Sequence, residues 1–156
     1  YDTSGLLILP LTKRVLSDIS KQFQARTIAK HYLAVVAGKL AKTRGDIDLP
    51  LAADTERRPL YKVCQQTGKP SLTRYQLLSY DSEADQSRVQ LEPVTGRSHQ
   101  LRVHMLALGH AMLGDTLYAP ADIAAKSSRL LLHAEYISFV HPLSGDVMSF
   151  NAPAPF

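Results

Sequence analysis

Apolar residues change their spacing several times along the chain, and each change marks a predicted element. Residues 5–11 (GLLILPL) form a short continuous apolar run, read as a buried strand with Pro10 near its exit. Thr12 is placed to cap a helix over 13–26, where Val15, Leu16, Ile19 and Phe23 recur on one face. KHYLAVVAG (30–38) is β-branched and aromatic and closes on Gly38, which predicts a strand. AKTRG (41–45) reads as a turn, and DIDLPL (46–51) as a short strand ended by Pro50.

A polar loop follows at 52–60, and it holds Arg57 and Arg58. YKVC (61–64), the turn QTGKP (66–70) and LTRYQLLSY (72–80) suggest a hairpin, with Thr73, Tyr75 and Leu77 alternating against Arg74 and Gln76. After a second turn at 81–87, RVQLEPV (88–94) alternates again, with Val89 and Leu91 inward. Thr95-Gly96 then opens a helix over about 98–108, striped by Leu101, Met105 and Leu108 and stopped by Gly109. Residues 110–128 read mostly as loop, 130–142 as a strand, 142–145 as a turn and 146–150 as a last strand. About seven strands and two helices, joined mostly by hairpin-like turns, predict an α+β domain with a largely antiparallel sheet and not an alternating βαβ order.

Composition narrows the function classes. The 156 residues are 45% hydrophobic and 21% charged, ordinary for a chain with a real core and unlike a disordered one. No apolar run approaches the roughly 18 residues of a membrane span. Cys64 is the only cysteine, which excludes an internal disulfide and a four-cysteine zinc site and fits a reducing cytoplasm. Eighteen Lys and Arg against fourteen Asp and Glu give +4, a weak bias toward polyanionic partners. The phosphate-loop, dinucleotide, nucleophile-elbow and zinc-protease motifs are all missing, and the six histidines show no ligand spacing.

The chemistry concentrates in TGRSHQLRVHMLALGH (95–110). Arg102 sits in an apolar window and cannot shed its charge, so it needs an anion. A carboxylate in a cleft, an RNA phosphate and a buried ion pair that only fixes packing all answer that need. Arg97, His99 and Gln100 crowd the start of the helix, either as anion binders or as a polar cap facing water. Tyr32 lies mid-strand, as an ordinary half-buried tyrosine or as a stacking platform and proton acceptor. The scattered lysines and arginines outside this segment read by default as a solvated surface.

With LGD (113–115) after it, this segment resembles the RluA family of RNA pseudouridine synthases, whose hallmark is the GRSHQLR run. TSGLL (3–7), KHYLAVVAG (30–38), TGKPSLTRY (67–75) and LLLHA (130–134) are similar to other stretches of that family. The resemblance implies a mixed, mainly antiparallel sheet flanked by helices, and isomerisation of uridine to pseudouridine without cofactor or metal, on 23S rRNA and tRNA as in the dual-specificity members. It implies that Arg102 pairs with the catalytic aspartate, and that Tyr32 stacks on the target uracil and accepts the C5 proton. It implies that Leu132 lines the uracil pocket, and that Arg97, His99 and Gln100 hold the RNA or order the site.

The family's loop reads His-Arg-Leu-Asp, two variable residues, then Thr-Ser-Gly. Only Tyr1 and Asp2 precede Thr3-Ser4-Gly5 here, so the nucleophilic aspartate is expected immediately ahead of Tyr1 and Asp2 falls on a variable position. Residues 1–156 are accordingly expected to be the C-terminal major part of the catalytic domain, inactive alone. A non-catalytic module that binds structured RNA is the alternative. The expected state is a cytoplasmic monomer, able to self-associate through an exposed sheet edge.

Overall fold

The structure is a computed structural model that describes residues 2–156. In chain order its elements are β1 (Ser4–Gly5), α1 (Lys13–Ala25), β2 (Ala29–Ala37), β3 (Arg44–Asp48), β4 (Leu51–Ala53), β5 (Tyr61–Val63), β6 (Leu72–Asp81), β7 (Gln86–Pro93), α2 (Gln100–Ala107), α3 (Ala121–Ala124), β8 (Leu132–Val140) and β9 (Val147–Asn151). One sheet runs β1-β8-β2-β7-β6-β3, with β9 also paired to β8, and β4 and β5 form a separate two-stranded ladder. Every pairing is antiparallel except that of β1 with β8. The fold class is thus the predicted α+β arrangement.

Alternation decides which face of the sheet is covered. Ala34 and Val36 on β2, Tyr75 on β6 and Val89 and Leu91 on β7 point to one side, where Leu101 and Met105 of α2 meet them in a single buried cluster. Strand centres that pack a helix on this face bury aliphatic side chains completely: Leu91, Val89, Val36 and Met105 have essentially no exposed surface.

Several predicted elements change. The 5–11 run is not a buried strand. Only Ser4 and Gly5 pair, with His133 and Ala134, and beyond Leu6 the chain runs to α1 without a ladder. Leu7, Leu9 and Leu11 share one side and stand 78%, 72% and 94% exposed, because no element among the described residues packs on them. Thr12 does cap α1, accepting the Val15 amide at 3.3 Å, but of the helix stripe only Ile19 is buried. The 46–51 strand shifts to Arg44–Asp48, and the chain beyond Pro50 leaves the main sheet as β4. A short helix, α3, interrupts the loop predicted at 110–128.

Leu91→Ala is expected to cost about 2–5 kcal/mol, since a fully buried side chain leaves a cavity. Leu11→Ala should stay within about 0.5 kcal/mol. Urea midpoints of the two variants check this, and equal losses would put Leu11 in a core.

Candidate active site

The TGRSHQ segment owes its shape to a closed polar network. Gln100 is buried and spends its whole amide: Nε2 donates to Leu72 O (2.9 Å) and Thr73 Oγ1 (3.0 Å). Its Oε1 accepts from the Thr95 hydroxyl (2.7 Å) and the Arg97 amide (3.1 Å). The Leu72 amide returns a bond to Thr95 Oγ1 at 2.9 Å, which ties the loop to the start of β6. With Gln100 Nε2 donating to Thr73 Oγ1, the Thr73 hydroxyl proton is free for His104 Nδ1 (2.8 Å), and His104 Nε2–H then donates to Leu49 O (3.0 Å). Burial holds the His104 pKa below its ordinary value of 6.5.

This network starts α2 at Gln100, two residues later than expected, with His99 in the left-handed region at φ 55°. A non-glycine residue persists there only when its surroundings hold it. Here Tyr118 Oη accepts the Tyr61 amide (2.9 Å) and shares a hydrogen bond with His99 Nδ1 (2.6 Å). Burial and the nearby Arg102 charge lower the His99 pKa. With Nδ1 engaged by Tyr118, the other ring nitrogen of His99, Nε2, has no partner among the described residues.

Arg102 finds its anion in Asp115, a residue the sequence reading named only as part of LGD. Arg102 Nε donates to Asp115 Oδ2 at 2.9 Å and Nη2 to Oδ1, and the two side chains are 7% and 1% exposed. The same carboxylate accepts the Leu117 (3.0 Å) and Tyr118 (3.1 Å) amides. The Tyr118 ring lies 5.1 Å from the guanidinium carbon. Gly114 presents Asp115 from a turn only glycine can make: φ is +73°, and a Cβ would stand 1.8 Å from Arg129 O. The two-point grip uses one edge of the guanidinium. Its Nη1 faces the other way, 3.6 Å from Asp2 Oδ2, which is half exposed.

These groups meet in one open cavity of about 190 Å³. Tyr32, Arg97, His99, Gln100, Arg102 and Leu132 all line it, so the structure brings the six residues singled out from the sequence to one place. Asp2, Thr3 and Lys30 join them. Tyr32 and Leu132 come from neighbouring strands, and the β2–β8 register shifts between His31 and Tyr32. Such an irregularity re-aims side chains at a site. Burial raises the Tyr32 pKa, so its phenol keeps its proton. Asp115 and Tyr118 were missed; their signal was the unmet charge of Arg102, but nothing local says that its partner lies thirteen residues on. Among the described residues, no group of three or more His, Cys, Asp or Glu could hold a metal ion, and no helix is long and apolar enough to cross a membrane.

Asp115→Ala is expected to cost about 3–5 kcal/mol, because it strands a buried guanidinium, while Asp2→Ala should cost less than about 1 kcal/mol. Thermal unfolding of both variants checks the contrast. His99 and His104 bind protons more weakly folded than unfolded. Stability should therefore fall as the pH drops through 6.5 toward their lowered values and be complete above it. Urea titrations between about pH 5 and pH 7.5 read this, and a flat profile would mean that the folded protein accepts those protons.

Comparison with known proteins shows the family. A sequence profile for RNA pseudouridylate synthase matches residues 1–107. The dual-specificity RNA pseudouridine synthase RluA of Pasteurella multocida is 48% identical over 155 residues, covering 99% of this chain and 70% of the relative. Its namesake in Escherichia coli K12 is 48% identical over 154 residues, again with 99% and 70% covered. Among solved structures, human RNA pseudouridylate synthase domain containing 1 superposes with a TM-score of 0.80 at 32% identity, over 94% of this chain and 62% of its own. Human RNA pseudouridylate synthase domain containing 4 shares the fold, with a TM-score of 0.72 at 21% identity over 92% of this chain and 64% of its own. The chain thus spans less than two thirds of either solved chain. By its profile match and its identity to these relatives, the chain belongs to the RNA pseudouridylate synthase family, the isomerases that turn uridine within RNA into pseudouridine.

Proposed function

We propose that the protein isomerises uridines in structured RNA, with 23S rRNA and tRNA as substrates and the cytoplasm as its place of work. The observation that carries this reading is the cavity that joins Tyr32, Leu132 and Arg102. In the reaction the N1–sugar bond breaks, the uracil turns, a bond forms from C5 to the sugar, the C5 proton leaves, and N1 takes up a proton from solvent. Both reacting positions are hard to reach inside a base stack, so the uridine enters flipped out. Leu132 and the Tyr32 ring supply an apolar slot for the base. The raised Tyr32 pKa favours stacking by the neutral phenol, so as an acceptor of the C5 proton Tyr32 would work through its oxygen lone pair.

In this proposal the Nη1 edge of Arg102, which faces the Asp2 carboxylate here, orients the nucleophilic carboxylate, while Asp115 holds the guanidinium in place. The nucleophile is the aspartate expected just ahead of Tyr1, and Asp2 stays on its variable position. His99 Nε2–H and Arg97 act as donors to the RNA. Gln100, whose amide is fully used within the protein, acts by ordering the loop.

The test is release of tritium from C5-labelled uridine by the full-length protein, on an rRNA loop and on tRNA. Wild-type protein should release label. Asp2→Asn should keep at least about a tenth of that rate, and Tyr32→Phe should bind RNA while losing about 10²-fold or more in rate. No release by wild type would remove the synthase reading in favour of an RNA-binding module. A collapse in Asp2→Asn alone would hand the nucleophile's role to Asp2.

A further inference from the structure

A second cavity, of about 400 Å³, adjoins the first. It is lined by Phe23, Gln24 and Arg26 at the end of α1 and by Lys30, Gly96 and Arg97, among others. Lys30, Thr95, Gly96 and Arg97 also line the candidate active site, so the Lys30 side chain stands between the two spaces. Lys30 and Tyr32 are two residues apart on β2 and face the same way, about 6.7 Å apart along the strand. One sugar–phosphate unit bridges such a separation.

The charges in this second cavity are unanswered. Arg26, Lys30 and Arg97 line it with no carboxylate beside them. Among the described residues none of the three forms an ion pair. Lys30 is partly withdrawn from water, enough for burial to lower its pKa. Its Nζ stands over the face of Phe23, 5.3 Å from the ring centroid, and beside Gly96. A half-desolvated ammonium without a counter-ion is costly, and an anion that settled there would repay the cost. Phe23 itself is 42% exposed, a large ring held open at the rim. The depression on the opposite face of the sheet is different. There Arg74 meets Glu92 at 3.6 Å and Asp46 stands beside Arg44, so its charges are matched within the protein.

Cations in a groove together with an exposed aromatic ring are the two parts of a single-stranded nucleic acid site: the backbone follows the charge and the base stacks on the ring. We propose that this second cavity is a nucleotide subsite: Lys30, Arg97 and Arg26 hold the phosphodiester next to the target uridine, and Phe23 stacks the neighbouring base. The inference rests on the RNA reading above and extends it to the flanking nucleotide. Because a ring stacks on any base, the subsite selects an unpaired neighbour and not a particular sequence.

The experiment uses the full-length protein and a fluorescent RNA hairpin with a uridine-containing loop, titrated across a range of KCl concentrations. Lys30→Met should flatten the slope of log affinity against log salt by about 0.7–0.9, the loss of one phosphate contact. Phe23→Ala should raise KM about tenfold, and Phe23→Tyr should restore it. For both damaging variants the loss should lie in KM more than in kcat. Lys13→Met, exposed at the other end of α1, should change neither reading, and urea midpoints confirm that each variant is folded. Wild-type slope and affinity in Lys30→Met overturn the subsite, as does a fall confined to kcat, which would make Lys30 a group acting on the uracil. If wild type binds the hairpin but forms no pseudouridine, the synthase reading fails, and the slopes still decide the subsite.

Discussion

A guanidinium cannot lose its charge, and the interior of this domain is built around that fact. Arg102 lies within a buried helix turn, and its charge is tolerable only because Asp115 grips it at two points. Asp115 in turn needs the turn at Gly114 and the amides of Leu117 and Tyr118. Tyr118 then faces both the guanidinium and His99. One unavoidable charge thus recruits a loop, a phenol and an imidazole, and of these groups Arg102 and His99 reach the cavity wall.

The neighbouring polar groups follow the same logic without charge. Gln100, Thr95, Thr73 and His104 are buried, and each donor among them has a defined acceptor. Among the described residues no buried side-chain nitrogen or oxygen lacks a partner. Such a network fixes one arrangement, because any displaced member leaves a desolvated group behind. The loop that carries Arg97 and His99 is held firm from beneath, the Arg97 guanidinium reaches the Pro70 carbonyl, and His99 Nε2 is without a partner among the described residues.

Much of this was legible in the sequence. The alternation of Thr73, Tyr75 and Leu77 and of Val89 and Leu91 gave the inner face correctly, because period two follows directly from the pleat. Arg102 announced its need for an anion, and the likeness of the GRSHQLR run to a known family picked out residues that do share a cavity. Three things were hidden. Asp115 is one acidic residue among fourteen, and only the tertiary path of the 110–118 loop selects it. The run at 5–11 carries the pattern of a core strand, yet burial depends on what lies opposite, which a local pattern does not encode. The departure of β4 from the main sheet at Pro50 is likewise a long-range choice, made by its pairing with β5.

The two-point grip also constrains how this sequence can change over generations. Losing either Asp115 or Arg102 alone leaves an uncompensated charge in the interior, whereas an apolar pair of similar volume could satisfy the core. The single steps toward that pair are steep, so the two positions can change only together. Even the double change would remove Nη1 from the cavity wall. The core could forgive the exchange, and under the proposed role of Arg102 the site could not, so the pair is then locked twice, by epistasis in the interior and by chemistry at its surface.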